Sequence, residues 1–96
     1  MADGNQGIVS DVDERHYFRL ADGRVLKNLK ELLEALKTMD EDIFRHHVNR
    51  EKNDFANWIR DVLRYTELSD ALEGVKNKDD YFRIVSKMVK KLDKRR

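Results

Sequence analysis

Apolar residues recur at helical spacing through most of the chain. Leu29, Leu32, Leu33 and Leu36 fall at i, i+3, i+4 and i+7, the stripe of an amphipathic helix. Asn28 stands at the capping position with Glu31 three residues on, so a helix is predicted over Leu29–Met39. Asp40 is the expected cap of a second helix, Glu41–Val48, whose early Glu41 and Asp42 suit the positive end of its dipole. Ile43, Phe44, His47 and Val48 share one face of it, and Asn49 suits a left-handed C-cap. Asn53 is read as the cap of a third helix, Asp54–Tyr65, with Phe55, Trp58, Ile59 and Val62 in register and Leu63 widening the stripe. Thr66 is read as the cap of a short helix, Glu67–Glu73, packed through Leu68, Ala71 and Leu72 and closed by Gly74. Asn77 caps the last helix, Lys78–Lys94, whose stripe is Tyr81, Phe82, Val85, Met88, Val89 and Leu92. No proline interrupts any of these segments.

Ahead of the first helix the pattern changes. His16–Leu20 and Val25–Leu26 flank Asp22-Gly23, a turn signal because the turn needs positive φ. Two strands alone are marginal in water, so this hairpin is expected to lean on the helices. Met1–Glu14 has two glycines, four acids and no basic residue, and reads as a disordered acidic tail. The expected architecture is all-α: a compact bundle of about five short helices with a small N-terminal hairpin. Residues 15–96 would form one helical domain after a tail at 1–14.

Composition narrows the context. Charged residues make up 41% of the 96 positions and hydrophobic ones 40%, enough apolar residue for a small core. Without cysteine there is no disulfide and no thiolate chemistry. The first residues carry no apolar run of the kind a signal peptide needs, and no stretch approaches the ~20 apolar residues of a membrane span. The expectation is a cytoplasmic protein; its charge-rich, glutamine-poor surface fits a thermophilic source. The net charge of +1 conceals an asymmetry, since Lys76–Arg96 holds nine Lys or Arg against three Asp. Such a basic end suits an anionic partner such as RNA, or a solvated helix end favoured by the macrodipole.

Candidate chemistry is sparse. His46 and His47 are adjacent, and adjacent helical residues point about 100° apart, which does not converge on one ion. His16 is the remaining imidazole, and zinc needs three or four convergent ligands. His47 is therefore expected to be half-buried with its ring hydrogen-bonded, and His46 exposed. No serine sits in a glycine elbow, and no glycine-rich phosphate loop is present. No catalytic residue, metal, cofactor or small-molecule substrate is expected. Glu41–Val48, a short turn and Asp54–Tyr65 have the outline of a helix–turn–helix, with Asn57, Arg60 and Arg64 on the outer side of the second helix. Asp54 and Asp61 dilute the positive charge that DNA reading needs.

His46-His47-Val48-Asn49, then Lys52-Asn53-Asp54-Phe55, then Trp58-Ile59-Arg60-Asp61-Val62 resembles the signature of a small all-helical, mainly archaeal family. The resemblance spans about Tyr17–Leu72 and includes Tyr17-Phe18 and Leu20 with Asp22-Gly23. It transfers no catalytic residue. It implies a small regulatory or accessory module; for stand-alone members it implies association with the small ribosomal subunit, damping translation by subunit dimerisation or by blocking subunit joining. Physically, Asn49 ends one helix and Asn53 begins the next, Phe55 and Trp58 enter the core, and Lys52 and Asp54 are placed to pair or cap across the turn. The candidate partner-binding residues are the outward Arg45, Arg50, Lys52, Asn57 and Arg60, with Lys90, Lys91, Lys94, Arg95 and Arg96 at the basic end. A homodimer closed by part of the last helix is a further expectation. The alternatives are a protein-interaction adaptor without nucleic acid, and a helix–turn–helix DNA-binding regulator.

Overall fold

The computed structural model describes residues 10–94, with side chains through 92. A 3₁₀ turn, Glu14–His16, leads into β1 (Phe18–Arg19) and β2 (Val25–Leu26), followed by α1 (Leu29–Thr38), α2 (Glu41–His47), α3 (Asp54–Trp58), α4 (Thr66–Leu72) and α5 (Lys78–Lys94). The fold is thus five helices and a small antiparallel hairpin, as the periodicity predicts. A π-helical segment, Ile59–Leu63, continues α3.

The hairpin pairs Phe18 with Leu26 and Arg19 with Val25. Its turn closes through Gly23 N–H to the Leu20 carbonyl (3.0 Å), with Gly23 at φ +97°, a conformation that costs glycine little. The strands are two residues each, shorter than the alternation suggests. His16 lies in the 3₁₀ turn, where its carbonyl accepts the Trp58 indole N–H at 2.7 Å. The expected dependence on the helices is met directly. Leu20 and Leu26 are buried, Ala21 N–H donates to His47 Nε2 (3.0 Å), and Arg24 reaches Thr38 Oγ1 (2.9 Å).

Of the expected tail, residues 1–9 lie outside the described part. Asp11–Glu14 are engaged with the fold. Val12 N–H donates to the Lys27 carbonyl, Asp11 accepts from the Asn28 side chain, and Asp13 caps the 3₁₀ turn. Composition places these residues in a tail; the spare amide of the α1 cap and the Lys27 carbonyl give them partners.

Capping explains most helix starts. Asn28 Oδ1 accepts from Glu31 N–H, Asn53 Oδ1 from Ala56 N–H and Asn77 Oδ1 from Asp80 N–H, each satisfying an orphan donor of a first turn. Glu31 reaches back to Lys27 N–H at 2.8 Å, one residue before the cap. Two expected caps differ. Asp40 flanks α2 without a side-chain cap bond, and Tyr65, not Thr66, precedes α4. Asn49 is also not left-handed: among described non-glycine residues only Arg64 has positive φ. Asn49 closes α2 with its side chain instead, donating to the carbonyls of Arg45 (3.0 Å) and His46 (3.4 Å).

The predicted α-helix over Asp54–Tyr65 is interrupted after Trp58. Tyr65 N–H and Arg64 N–H both return to the Ile59 carbonyl, and Arg64 at φ 66° ends the segment. The wider turn leaves Ile59 and Leu63 buried together and lets the chain reverse into α4, with Arg64 in the left-handed role usually given to glycine.

α5 packs against α1 and α4. Tyr81, Val85 and Val89, four residues apart, are buried, while Phe82, Ile84, Met88 and Leu92 are partly covered. The core is one cluster running from Leu20 to Val89, with Leu29, Leu32, Leu36, Phe44, Phe55 and Ile59 at its centre. Lys78 Nζ donates to the Met39 carbonyl (2.8 Å), fixing the start of α5 against the end of α1.

Trp58 is 7% exposed and ties α3 to the 3₁₀ turn. Trp58→Ala is expected to lower stability by roughly 3–5 kcal/mol, read by urea denaturation followed by circular dichroism. A loss below about 1 kcal/mol would contradict the burial and the indole hydrogen bond together.

Candidate functional site

The α2–α3 turn gathers the chemistry-bearing residues. His47 is 5% exposed, and both of its ring nitrogens are used. Nε2 accepts from Ala21 N–H, so the ring proton sits on Nδ1 and donates to Asp54 Oδ2 at 2.9 Å. Asp54 also meets Lys52 Nζ at 3.1 Å, the cross-turn pair that the spacing suggests. His46 is exposed and touches His47 edge to face at 4.8 Å. With both His47 nitrogens engaged, none is left for a metal ion. Among the described residues no three His, Asp or Glu side chains are grouped to hold one.

Phe18 of β1 inserts beside this imidazole, 5.1 Å from His47, 4.9 Å from Phe55 and 5.6 Å from Trp58. Below it, Phe44 and Phe55 meet Tyr81 of α5 at 5.2 and 5.9 Å. The Tyr81 hydroxyl donates to Asn53 Oδ1, and burial pushes its pKa well above the ordinary tyrosine value. Asn53 Nδ2 donates to the carbonyl of Leu72, the last residue of α4 (3.0 Å). The inward side of the turn is therefore committed to holding the hairpin, α3, α4 and α5 together.

These contacts all lie within the stretch that a family model matches. The chain belongs to a family of unknown function (DUF5752). The family model matches residues 11–95, from the aspartate bonded to Asn28 through the basic helix α5. No curated protein and no solved structure matches it.

The outward side divides the expected partner-binding residues into two places. Arg50, Lys52, Asn57 and Arg60 line one cleft of about 320 Å³ between the α2–α3 turn and the α4–α5 junction. Asp70, Glu73 and Lys76 complete it, and pattern reading singles out none of these three. They arrive there because Asn53 pins the end of α4, a contact across nineteen positions that no local pattern announces. Arg60 is not free in the cleft. Asp61 holds its guanidinium at 3.0 Å, which raises its pKa above the ordinary value, and Asn57 accepts from it at 3.2 Å. Arg45 is exposed on α2 outside the cleft.

Lys90 and Lys91 sit on α5 with Lys87, flanking the partly covered Ile84 and Met88. Lys91 meets Glu67 of α4 at 3.1 Å, while Lys87 and Lys90 make no ion pair among the described residues. Ile84 is outside the stripe read from the sequence. The Lys94 side chain, Arg95 and Arg96 lie outside the described residues.

Asn53→Ala removes a helix cap, takes one of two donors from the Leu72 carbonyl and leaves the Tyr81 hydroxyl without its acceptor. The expected loss is about 2–4 kcal/mol, larger than the ~1 kcal/mol typical of a cap alone. Chemical denaturation checks it, and Asn77→Ala, which loses a solvent-exposed cap, is the comparison.

Proposed function

We propose that the chain is a non-enzymatic binding module that docks on an anionic macromolecular surface through the outer side of α5. The carrying observation is the exposed row Lys87, Lys90 and Lys91 beside Ile84 and Met88. Lysines at this spacing stand on one side of a helix and present ammonium groups to phosphates, while the two apolar side chains give a contact that excludes water. The buried polar groups of the described fold support the non-enzymatic reading. Asn28, His47 and Ser69 are spent on a cap, a clasp and a helix carbonyl, so none is held ready for a substrate. The resemblance of the signature adds the small ribosomal subunit as the anionic surface to test first.

Docking of this kind is salt-dependent, because each phosphate contact releases counterions. Sedimentation with small ribosomal subunits over a salt series is expected to show binding that falls with salt. In a Lys87→Glu, Lys90→Glu, Lys91→Glu variant the log–log slope is expected to be shallower by about two. The same substitutions extended to Lys94, Arg95 and Arg96 test the rest of the basic end. Binding that ignores both salt and these charges contradicts the proposal.

A further inference from the structure

The cleft between the α2–α3 turn and the α4–α5 junction has a different chemistry from α5. Its walls are preformed. Asn49 Oδ1 accepts from Glu51 N–H (2.9 Å), Asn49 N–H returns to the Lys52 carbonyl (2.9 Å), and Val48 bridges Asn53. Asn53 then joins this wall to the opposite one through the Leu72 carbonyl, and Val75 N–H folds back on the same carbonyl (3.1 Å). A ligand entering here meets groups already ordered, which lowers the entropic cost of binding.

The two walls differ in net sign. The turn and α3 present Arg50, Lys52 and Arg60 against a single acid, Glu51; the α4 end presents Asp70 and Glu73 against a single cation, Lys76. Lys52 and Arg60 are held by Asp54 and Asp61, whereas Arg50, Asp70 and Glu73 have no ion-pair partner among the described residues. The field of Asp70 and Glu73 already reaches Arg60 across the cleft. A polyanion entering would meet two exposed carboxylates on one wall, and a polycation the cations of the other, so like-charge contact disfavours both. The lining is mostly polar and offers no aromatic or large aliphatic anchor, which disfavours an apolar ligand. About 320 Å³ is at the lower end of the range for ligand sites and takes a few extended residues.

We infer that this cleft binds a short extended segment of a protein partner in which an acidic and a basic side chain lie close together, the acid toward Arg50 and the base toward Asp70 and Glu73. Recognition is by charge register on a rigid frame. It is independent of the α5 lysines, so the two surfaces of the chain hold different classes of partner.

The test is an NMR titration of the isotope-labelled full chain with four probes: a blocked hexapeptide alternating Glu and Lys, hexaglutamate, hexalysine and a ten-nucleotide uridylate. The alternating peptide is expected to shift the amides of Arg50, Asn57 and Gly74. Arg50→Glu and Glu73→Lys, both at exposed positions, are each expected to weaken that binding by roughly five- to tenfold. Lys90→Glu is expected to leave it unchanged. Absence of shifts at these amides overturns the inference. So does a stronger response there to hexaglutamate, hexalysine or uridylate than to the alternating peptide, or insensitivity of the binding to both cleft substitutions.

Discussion

One carboxamide holds the architecture together. Asn53 accepts from Ala56 N–H and from the Tyr81 hydroxyl, and donates to the Leu72 carbonyl. Its three partners belong to the first turn of α3, the middle of the core and the end of α4. A residue that merely capped a helix would satisfy one orphan donor; this one also fixes where α4 stops and how deeply α5 sits. Tyr81 is fully buried, and a buried hydroxyl without a partner is expensive. The Asn53–Tyr81 contact thus makes the α3–α5 packing specific as well as apolar.

Around that point the hairpin is held by a second clasp. His47 takes the Ala21 N–H on one nitrogen and gives its proton to Asp54 on the other, and Trp58 takes the carbonyl of His16. Phe18 fills the space between them. Two-residue strands have too few ladder bonds to persist alone; these contacts give the hairpin its stability. The crowding of His, Trp, Asn and Asp in this stretch, which invites a search for an active site, is accounted for by the joining of five elements.

What could be read from the residues was what is local. Asn28, Asn53 and Asn77 announce helix starts because a cap acts over three residues, and the Leu29–Leu36 stripe needs only its own period. The left-handed C-cap expected at Asn49 is not formed: asparagine ends a helix either by its backbone or by its side chain, and the fold uses the side chain. The π segment has no marker in Ile59–Leu63, whose residues suit an α-helix equally well. It follows from burying Ile59 and Leu63 and turning at Arg64. On α5 the expected stripe, Tyr81, Phe82, Val85, Met88, Val89 and Leu92, is wider than one core face needs. Packed mainly against α1 and α4, the helix buries Tyr81, Val85 and Val89 and leaves Ile84 and Met88 partly exposed among lysines. The acidic wall of the cleft was illegible because Asp70 and Glu73 reach Arg60 only after Asn53 has joined the turn to α4.

A rigid centre with differently charged outer surfaces is a frame for binding. Among the described residues the buried polar side chains Asn28, His47 and Ser69 each have hydrogen-bond partners, and outward groups fall into a lysine row and a cleft of mixed charge. The central claim is that the Asn53 and His47 contacts belong to the most stable part of the molecule. Native-state hydrogen exchange tests it most directly. The account predicts that the amides of Ala21 and Ala56 exchange only through global unfolding, together with those of buried α5 residues such as Val85. Exchange of Ala21 and Ala56 through a low-energy local opening, while Val85 stays protected, would contradict it.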